Sequence, residues 1–137
     1  VELIPQTMAP FPWHFGGQRH QNLFVLHDEI AEWGSKLNLR FCFDVSHSKL
    51  ACNHFKIDFD SFVQTVAPMT AHLHLGDAKG VNGEGLQIGE GGIDFNSLGK
   101  TISKLCPSAS FIPEIWQGHK DNGRGFWLAM EKLEEYF

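Results

Sequence analysis

Long apolar runs are missing from this chain. No stretch approaches the ~18 residues that a membrane span needs, and no basic segment leading into an apolar one stands at its start. Neither a membrane nor a secretory role is expected. Basic clusters are missing too: the 11 Lys and Arg are scattered among 16 Asp and Glu, for a formal net charge of −5. A nucleic-acid backbone is therefore not an expected partner. Cysteine is sparse. Cys42, Cys52 and Cys106 are odd in number and form no CxxC pair, which argues against a disulfide framework and a zinc ribbon and favours a reducing, cytoplasmic setting. An initiator methionine is also missing. Val1-Glu2-Leu3-Ile4 reads as the end of a strand with nothing before it, so the chain is expected to be part of something longer.

What is present suffices for one domain over residues 1–137, with 42% hydrophobic residues to build a core. The 8 histidines are many for this length and leave room for metal or acid–base chemistry at neutral pH. The chain reads as one βα unit repeated. The strand fragment Val1–Ile4 leads into a loop from Pro5 to about Asn22, where Pro5, Pro10, Pro12, Gly16 and Gly17 rule out a regular element. Leu23, Leu26, Ile30, Trp33 and Leu37 follow at helical spacing. A second strand, Leu39–Phe43, ends in Asp44; the stretch Val45 to Ile57 reads as loop, before a helix carrying Phe59, Phe62 and Val66 with Asp58 or Asp60 as cap. The third strand, Ala71–Leu75, opens into the glycine-rich segment 76–85, read as loop, and Asp94 then caps a helix with Phe95, Leu98, Ile102 and Leu105. The fourth strand, Ser110–Pro113, is followed by Glu114, a loop through Gly125 and a last helix with Phe126, Met130, Leu133 and Phe137.

Strands alternating with helices in this way predict an α/β fold, a parallel sheet with helices outside, built from right-handed βαβ units. Four such units make half of a TIM (β/α)8 barrel, since a complete one takes about 250 residues. Half a barrel leaves two sheet edges and an apolar inner face open. A homodimer, or a missing N-terminal half barrel, is the expected partner.

Glu2, Asp44, His74 and Glu114 each end one of the four apolar runs, which places four donors on the C-terminal rim where parallel α/β folds carry their sites. Period-2 alternation sets Ile4, Cys42, His72 and Ile112 as the layer beneath them. Each residue has a plain alternative: a solvated Glu2, a capping Asp44, a core His74, a loop Glu114. The coincidence of four donors at four equivalent strand ends is what points to a site. Three carboxylates and one imidazole, without thiolate, suit one divalent ion, Mn²⁺ first, then Mg²⁺, Co²⁺ or Fe²⁺, and Zn²⁺ only secondarily. A cation also offsets the repulsion among converging carboxylates.

Several short motifs carry a resemblance. Phe43-Asp44-Val45-Ser46-His47 resembles the D-x-x-H strand end of the xylose isomerase-like TIM barrels, the superfamily of sugar isomerases, sugar epimerases and endonuclease IV. His72-Leu73-His74-Leu75-Gly76-Asp77-Ala78-Lys79 is similar to its H-x-H-x-x-D strand and loop. Ile88-Gly89-Glu90-Gly91-Gly92-Ile93-Asp94-Phe95 is similar to its G-x-G-x-I-D-F turn, and Pro113-Glu114 to its last ligand glutamate. The resemblance spans nearly the whole chain and corresponds to strands five to eight of that barrel.

It implies a divalent-metal-dependent isomerase or epimerase acting on a sugar or sugar phosphate. Glu2, Asp44, His74 and Glu114 would hold the metal, and Glu2 and Glu114 would also pass the proton through a metal-stabilised enediolate. His47 would contact a substrate oxygen, or else hydrogen-bond Asp44. Trp13, Phe15 and Trp116 would wall the sugar, with Asp77 and Lys79 also on the substrate side. Arg19, Lys79 and Arg124 are candidate phosphate contacts, solvated charge being the alternative. Two rivals stand beside this reading. One is an endonuclease IV-like phosphodiester hydrolase, although the Asp-x-His pair of that branch is replaced here by Gly83-Glu84-Gly85-Leu86-Gln87. The other is an inactive half-barrel fragment.

Overall fold

The structure is a computed structural model that describes residues 1–11 and 22–137, so Trp13, Phe15 and Arg19 lie outside the described residues. In chain order the elements are α1 (His27–Leu37), β1 (Phe41–Asp44), α2 (Val45–Phe55), α3 (Phe59–Val66), a short 3-10 turn (Ala67–Met69), β2 (Thr70–Leu75), β3 (Asp77–Lys79), β4 (Gly83–Leu86), α4 (Phe95–Leu105), β5 (Ser110–Pro113) and α5 (Lys120–Leu133). The expected caps are in place. Asp58 accepts from Ser61 N at the start of α3, and Asp94 accepts from Asn96 N and Ser97 N at the start of α4.

β1, β2 and β5 form a parallel sheet in that order, with Asp44 opposite His74 and His74 opposite Ile112. Each strand returns to its neighbour through helices, which makes the sheet a partial (β/α)8 barrel. The odd-numbered residues Phe41, Phe43, Leu73 and Leu75 are buried against the helices, and the Phe43 and Phe62 rings lie 6.2 Å apart. The even-numbered residues form the inner face, but its layer is not the expected Ile4, Cys42, His72 and Ile112: Ser110 pairs with His72, Ile112 with His74, and Ile4 lies outside any strand. There Cys42 pairs with His72, and His72 Nδ1 lies 2.7 Å from Ser110 Oγ. Beyond them Ile112 is 45% exposed.

Three further expectations need correction. The first strand does not lie at Val1–Ile4, which is exposed and outside any strand; pairing starts at Pro5, and Gln6 bridges in parallel to Cys42. Cys42 N donates to Pro5 O, and Thr7 N donates to Cys42 O, both at 2.9 Å. A proline is tolerated at this spot because its carbonyl, not its ring nitrogen, takes part in the ladder. The stretch after Asp44 is not loop but helix α2, because the Asp44 carboxylate caps it directly at the strand end by accepting from His47 N. The glycine-rich segment 76–85 is not loop either. It folds into an antiparallel hairpin of β3 and β4. Among the described residues no helix is long and apolar enough to cross a membrane.

Asp77 explains why a segment so rich in glycine is ordered. Its side chain is fully buried. Oδ1 accepts from Ala78 N at 2.8 Å and Ile93 N at 3.1 Å, and Oδ2 accepts from Gly89 N at 3.0 Å and Gly91 N at 2.8 Å. A Cβ on Gly91 would run into this carboxylate and the Ala78 carbonyl, so the close approach requires glycine. One buried carboxyl group thus satisfies four amides of the turn that leads into α4. Asp77→Ala would strand those amides and is expected to destabilise the fold by about 3 kcal/mol or more, with Asp77→Asn intermediate. Urea unfolding monitored by circular dichroism checks this; a loss below about 1 kcal/mol for Asp77→Ala would refute it.

Candidate metal centre

The sheet register brings Asp44, His74 and Glu114 to one place on the rim. Each offers one ligand atom, and the three atoms lie within 4.8 Å of one another. Asp44 closes β1, and His74 sits opposite it in β2. Glu114 follows directly on β5, where its N–H donates to Leu75 O at 2.9 Å and carries the ladder past Pro113.

Asp44 divides its two oxygens between fold and site. Oδ1 accepts from His47 N at 2.9 Å and caps α2. Oδ2 accepts from Gln6 Nε2 at 2.8 Å, lies 3.1 Å from His47 Nδ1 and 3.8 Å from His74 Nδ1. Below it, Asp44 N donates to Thr7 Oγ1 at 2.9 Å. The residue is 2% exposed. The D-x-x-H spacing now has a physical reason: a strand-end aspartate that caps a helix receives the amide three residues on, and that turn swings the side chain of the same residue over the carboxylate.

His74 stands between the two carboxylates, 3.8 Å from Asp44 Oδ2 and 2.6 Å from Glu114 Oε2. Its Nδ1 is buried without an aligned hydrogen-bond partner among the described residues, although Glu114 Oε2 is only 2.6 Å away. Without an ion, the side chains of Asp44, Cys42 and Glu114, in that order, favour the imidazolium and push the pKa up to about 12. The donor set of two carboxylates and one imidazole fits a divalent metal of the borderline to hard kind.

The site opens into a cleft of about 540 Å³ lined by Asp44, His47, Glu84, Glu114, Trp116 and Lys120, among others. His47 stands between two carboxylates, with Nε2 3.4 Å from Glu84 Oε2. Burial lowers the His47 pKa, but the hydrogen bond to Glu84, the charges of Asp44 and Glu84 and the Thr7 carbonyl outweigh it and raise it to about 9.

Not every expected residue joins this cluster. Glu2 lies four positions before Gln6 and outside any strand, and its carboxylate forms a bidentate pair with Arg40 at 2.7 and 2.9 Å. That hydrogen bond holds the Glu2 pKa below the usual value. Gln6, paired with Cys42 one layer beneath Asp44, reaches the Asp44 carboxylate with its amide instead. Asp77 is enclosed beneath the hairpin with both oxygens taken, and Lys79 is exposed on β3; neither lines the cleft. His47 and Trp116 do line it, and Trp13 lies outside the described residues. Gln6 and Glu84 were missed by sequence reasoning. Gln6 was hidden by Pro5, although even-numbered alternation from Glu2 through Ile4 reaches it; Glu84 had no signal, because the hairpin that presents it was not apparent.

Two consequences follow for the metal-free protein. His47 has a folded-state pKa above its unfolded value of roughly 6.5, so its contribution to stability is complete below that value and is lost as pH rises through about 9. The urea midpoint of chelated protein is expected to fall over that window, and a His47→Gln variant to show a flatter profile. Metal uptake at pH 7 must displace the His74 proton. Calorimetric titration of Mn²⁺ in buffers of different ionisation enthalpy is expected to report about one proton released per ion; a buffer-independent heat would rule the arrangement out.

Comparison with known proteins agrees with this fold. The family model described as "Xylose isomerase-like TIM barrel" matches residues 1–135. Among solved structures, a D-tagatose 3-epimerase-like protein superposes with a TM-score of 0.72 and 22% sequence identity, over 99% of this chain and 46% of that chain. A D-psicose 3-epimerase with D-tagatose, from Clostridium cellulolyticum H10, superposes with a TM-score of 0.65 and 13% identity, over 96% of this chain and 47% of that chain. At these identities the likeness is one of fold, and the chain spans about half the length of either structure. No curated protein matches the chain significantly.

Proposed function

Because this chain belongs to the xylose isomerase-like TIM barrel family, we propose that it forms the metal-bearing half of a sugar or sugar-phosphate isomerase or epimerase. The observation that carries the reading is the convergence of Asp44, His74 and Glu114 at the mouth of a cleft of about 540 Å³. These three residues would hold one divalent ion, Mn²⁺ by preference. When bound, such an ion polarises a substrate carbonyl and its neighbouring hydroxyl and offsets the charge that develops there.

The remaining work falls to side chains. Glu114, half-exposed at the rim, is the group placed to move a proton at the carbon beside the carbonyl. His47, held between Asp44 and Glu84, would donate to a substrate oxygen, and Trp116 would wall the sugar. Lys120 at the cleft edge suits a phosphate if the sugar carries one. The Asp-x-His pair of the endonuclease branch is replaced here by Gly83-Glu84-Gly85-Leu86-Gln87, which favours the isomerase or epimerase reading over phosphodiester hydrolysis.

The inner face supports an assembly. Ser110 and Ile112 are exposed where a closed barrel would bury them, so the working protein would supply the opposing half, either from an N-terminal half barrel or from a second copy in a homodimer. We place residues 1–137 in one domain of that assembly.

The test is exchange in D2O. Mn²⁺-loaded protein incubated with D-psicose or D-tagatose, the sugars named for the structural neighbours, is expected to introduce deuterium at the carbon next to the ketone, read by NMR. Chelation should abolish it. Glu114→Gln should slow it by about 10²- to 10⁴-fold while the protein stays folded. Wild-type exchange in the Glu114 variant, or none from wild-type protein with either ketose, would reject the reading.

A further inference from the structure

We infer that Gln6 is a positioning residue of the metal centre: its side-chain amide holds Asp44 Oδ2 in place and so governs how tightly Asp44, His74 and Glu114 take a divalent ion. This rests on the reading of those three residues as metal ligands given above. Pro5 to Thr7 run alongside β1, and Gln6 pairs with Cys42, two residues short of Asp44. Two residues of a strand rise about 6.6 Å. The two-methylene stem of glutamine bridges that step, and Gln6 Nε2 donates to Asp44 Oδ2 at 2.8 Å. Oδ2 is also the oxygen that faces His74 Nδ1, at 3.8 Å. The same Gln6 nitrogen lies 3.5 Å from His47 Nδ1, so the amide sits between a metal ligand and the histidine assigned to the substrate.

The surroundings of Asp44 show what this contact adds. Thr7 is fully buried, and its Oγ1 accepts from Asp44 N at 2.9 Å while lying 3.2 Å from Asp44 O and 3.1 Å from Ser48 Oγ. That grip fixes the backbone. Oδ1 accepts from His47 N at 2.9 Å, which pins one oxygen and leaves the plane of the carboxyl group free to turn about it. The Gln6 amide stops that turn from the other side. Glu114, with a side chain 51% exposed, can adjust to an ion, whereas Asp44 at 2% exposed cannot, so the direction of Asp44 Oδ2 decides where the ion sits. An oxygen locked before the ion arrives loses no freedom on binding it.

Glutamine also has the right chemistry for this task. Its amide gives a hydrogen bond without a charge. A lysine in its place would set an ammonium on Oδ2 and compete with the ion, and a glutamate would press a second acid group against an enclosed one. An apolar residue would leave the buried oxygen one donor short. Partners of this kind orient metal ligands, and their loss costs about 10- to 100-fold in metal affinity.

The test uses Mn²⁺ alone as the probe. Gln6→Met keeps the length of the side chain and removes the donor. Wild type and variant are stripped with chelator, shown to be folded by urea unfolding, titrated with Mn²⁺ by calorimetry, and read by electron paramagnetic resonance once loaded. Gln6→Met is expected to bind Mn²⁺ about 10- to 100-fold more weakly at wild-type stoichiometry. Its Mn²⁺ spectrum is expected to differ from wild type, because a ligand oxygen has moved; a role in folding alone leaves that spectrum as it is. Wild-type affinity in the variant, or weaker binding with an unchanged spectrum, would overturn the inference. Should Gln6→Met fail to fold, Gln6→Asn, whose amide stops one methylene short, carries the same comparison. Failure of both to fold would assign Gln6 to the fold alone. A wild type that takes up no Mn²⁺ would reject the metal centre itself, whereas Mn²⁺ uptake unaffected by the substitution leaves the centre standing without this role for Gln6.

Discussion

The Asp44 carboxylate is the interaction on which the rest of this structure depends. A single buried carboxylate ends a strand, caps the following helix, receives the Gln6 amide from the neighbouring strand and faces two imidazoles. Capping has an energetic consequence for the site. Because Oδ1 satisfies an amide at the start of α2, the carboxylate loses its rotational freedom, and Oδ2 is aimed at the rim at no further entropic cost. The helix start also adds its own favourable field at this almost wholly enclosed carboxylate. Fold and site therefore share one side chain.

A second carboxylate serves the fold alone. Asp77 lies only three residues beyond His74, yet it points into the protein and gathers the amides of Ala78, Gly89, Gly91 and Ile93. By ordering a stretch with little apolar content, it makes a stiff hairpin of what composition suggests should be loose. The hairpin in turn closes one side of the cleft and leans Glu84 onto His47. Two aspartates of similar local setting thus have different duties, and what separates them is the direction of the backbone at each position.

The inner and outer faces of the sheet are unequal. Phenylalanine and leucine at odd positions pack against the helices, and Phe41, Phe43 and Leu75 are completely enclosed. The even positions carry cysteine, histidine, serine and isoleucine, which leaves an inner face too polar for a dense core and partly open to solvent. That mixture suits the interior of a barrel mouth, where side chains must reach a ligand as well as pack.

Much of this was legible in the sequence. Helical spacing and short β-rich runs announced the alternating α/β order, and Asp58 and Asp94 marked their helix starts; the strand Ser110–Pro113 was placed to the residue. Asp44, His74 and Glu114 were found as strand-end donors because a parallel sheet turns sequence position directly into rim position. The same logic failed at Glu2. There the strand fragment had no upstream pattern to set its end, and Pro5 drew the boundary at Ile4, just where pairing begins; only the ladder to Cys42 and the Gln6 amide on Asp44 revealed which residue reaches the site. Helix α2 was missed although its cap is local, Asp44 to His47 N, because Val45–Phe55 carries no clear apolar stripe; the hairpin was missed because Asp77 gathers amides 12 to 16 residues away. Local periodicity, then, determined the order of elements, their caps and the chemistry available at three strand ends. Tertiary structure alone decided which residue of the first segment reaches Asp44, that Asp77 turns inward, and that Glu84 reaches the cleft, because hydrogen-bond register and long-range contact between segments leave no trace in local spacing.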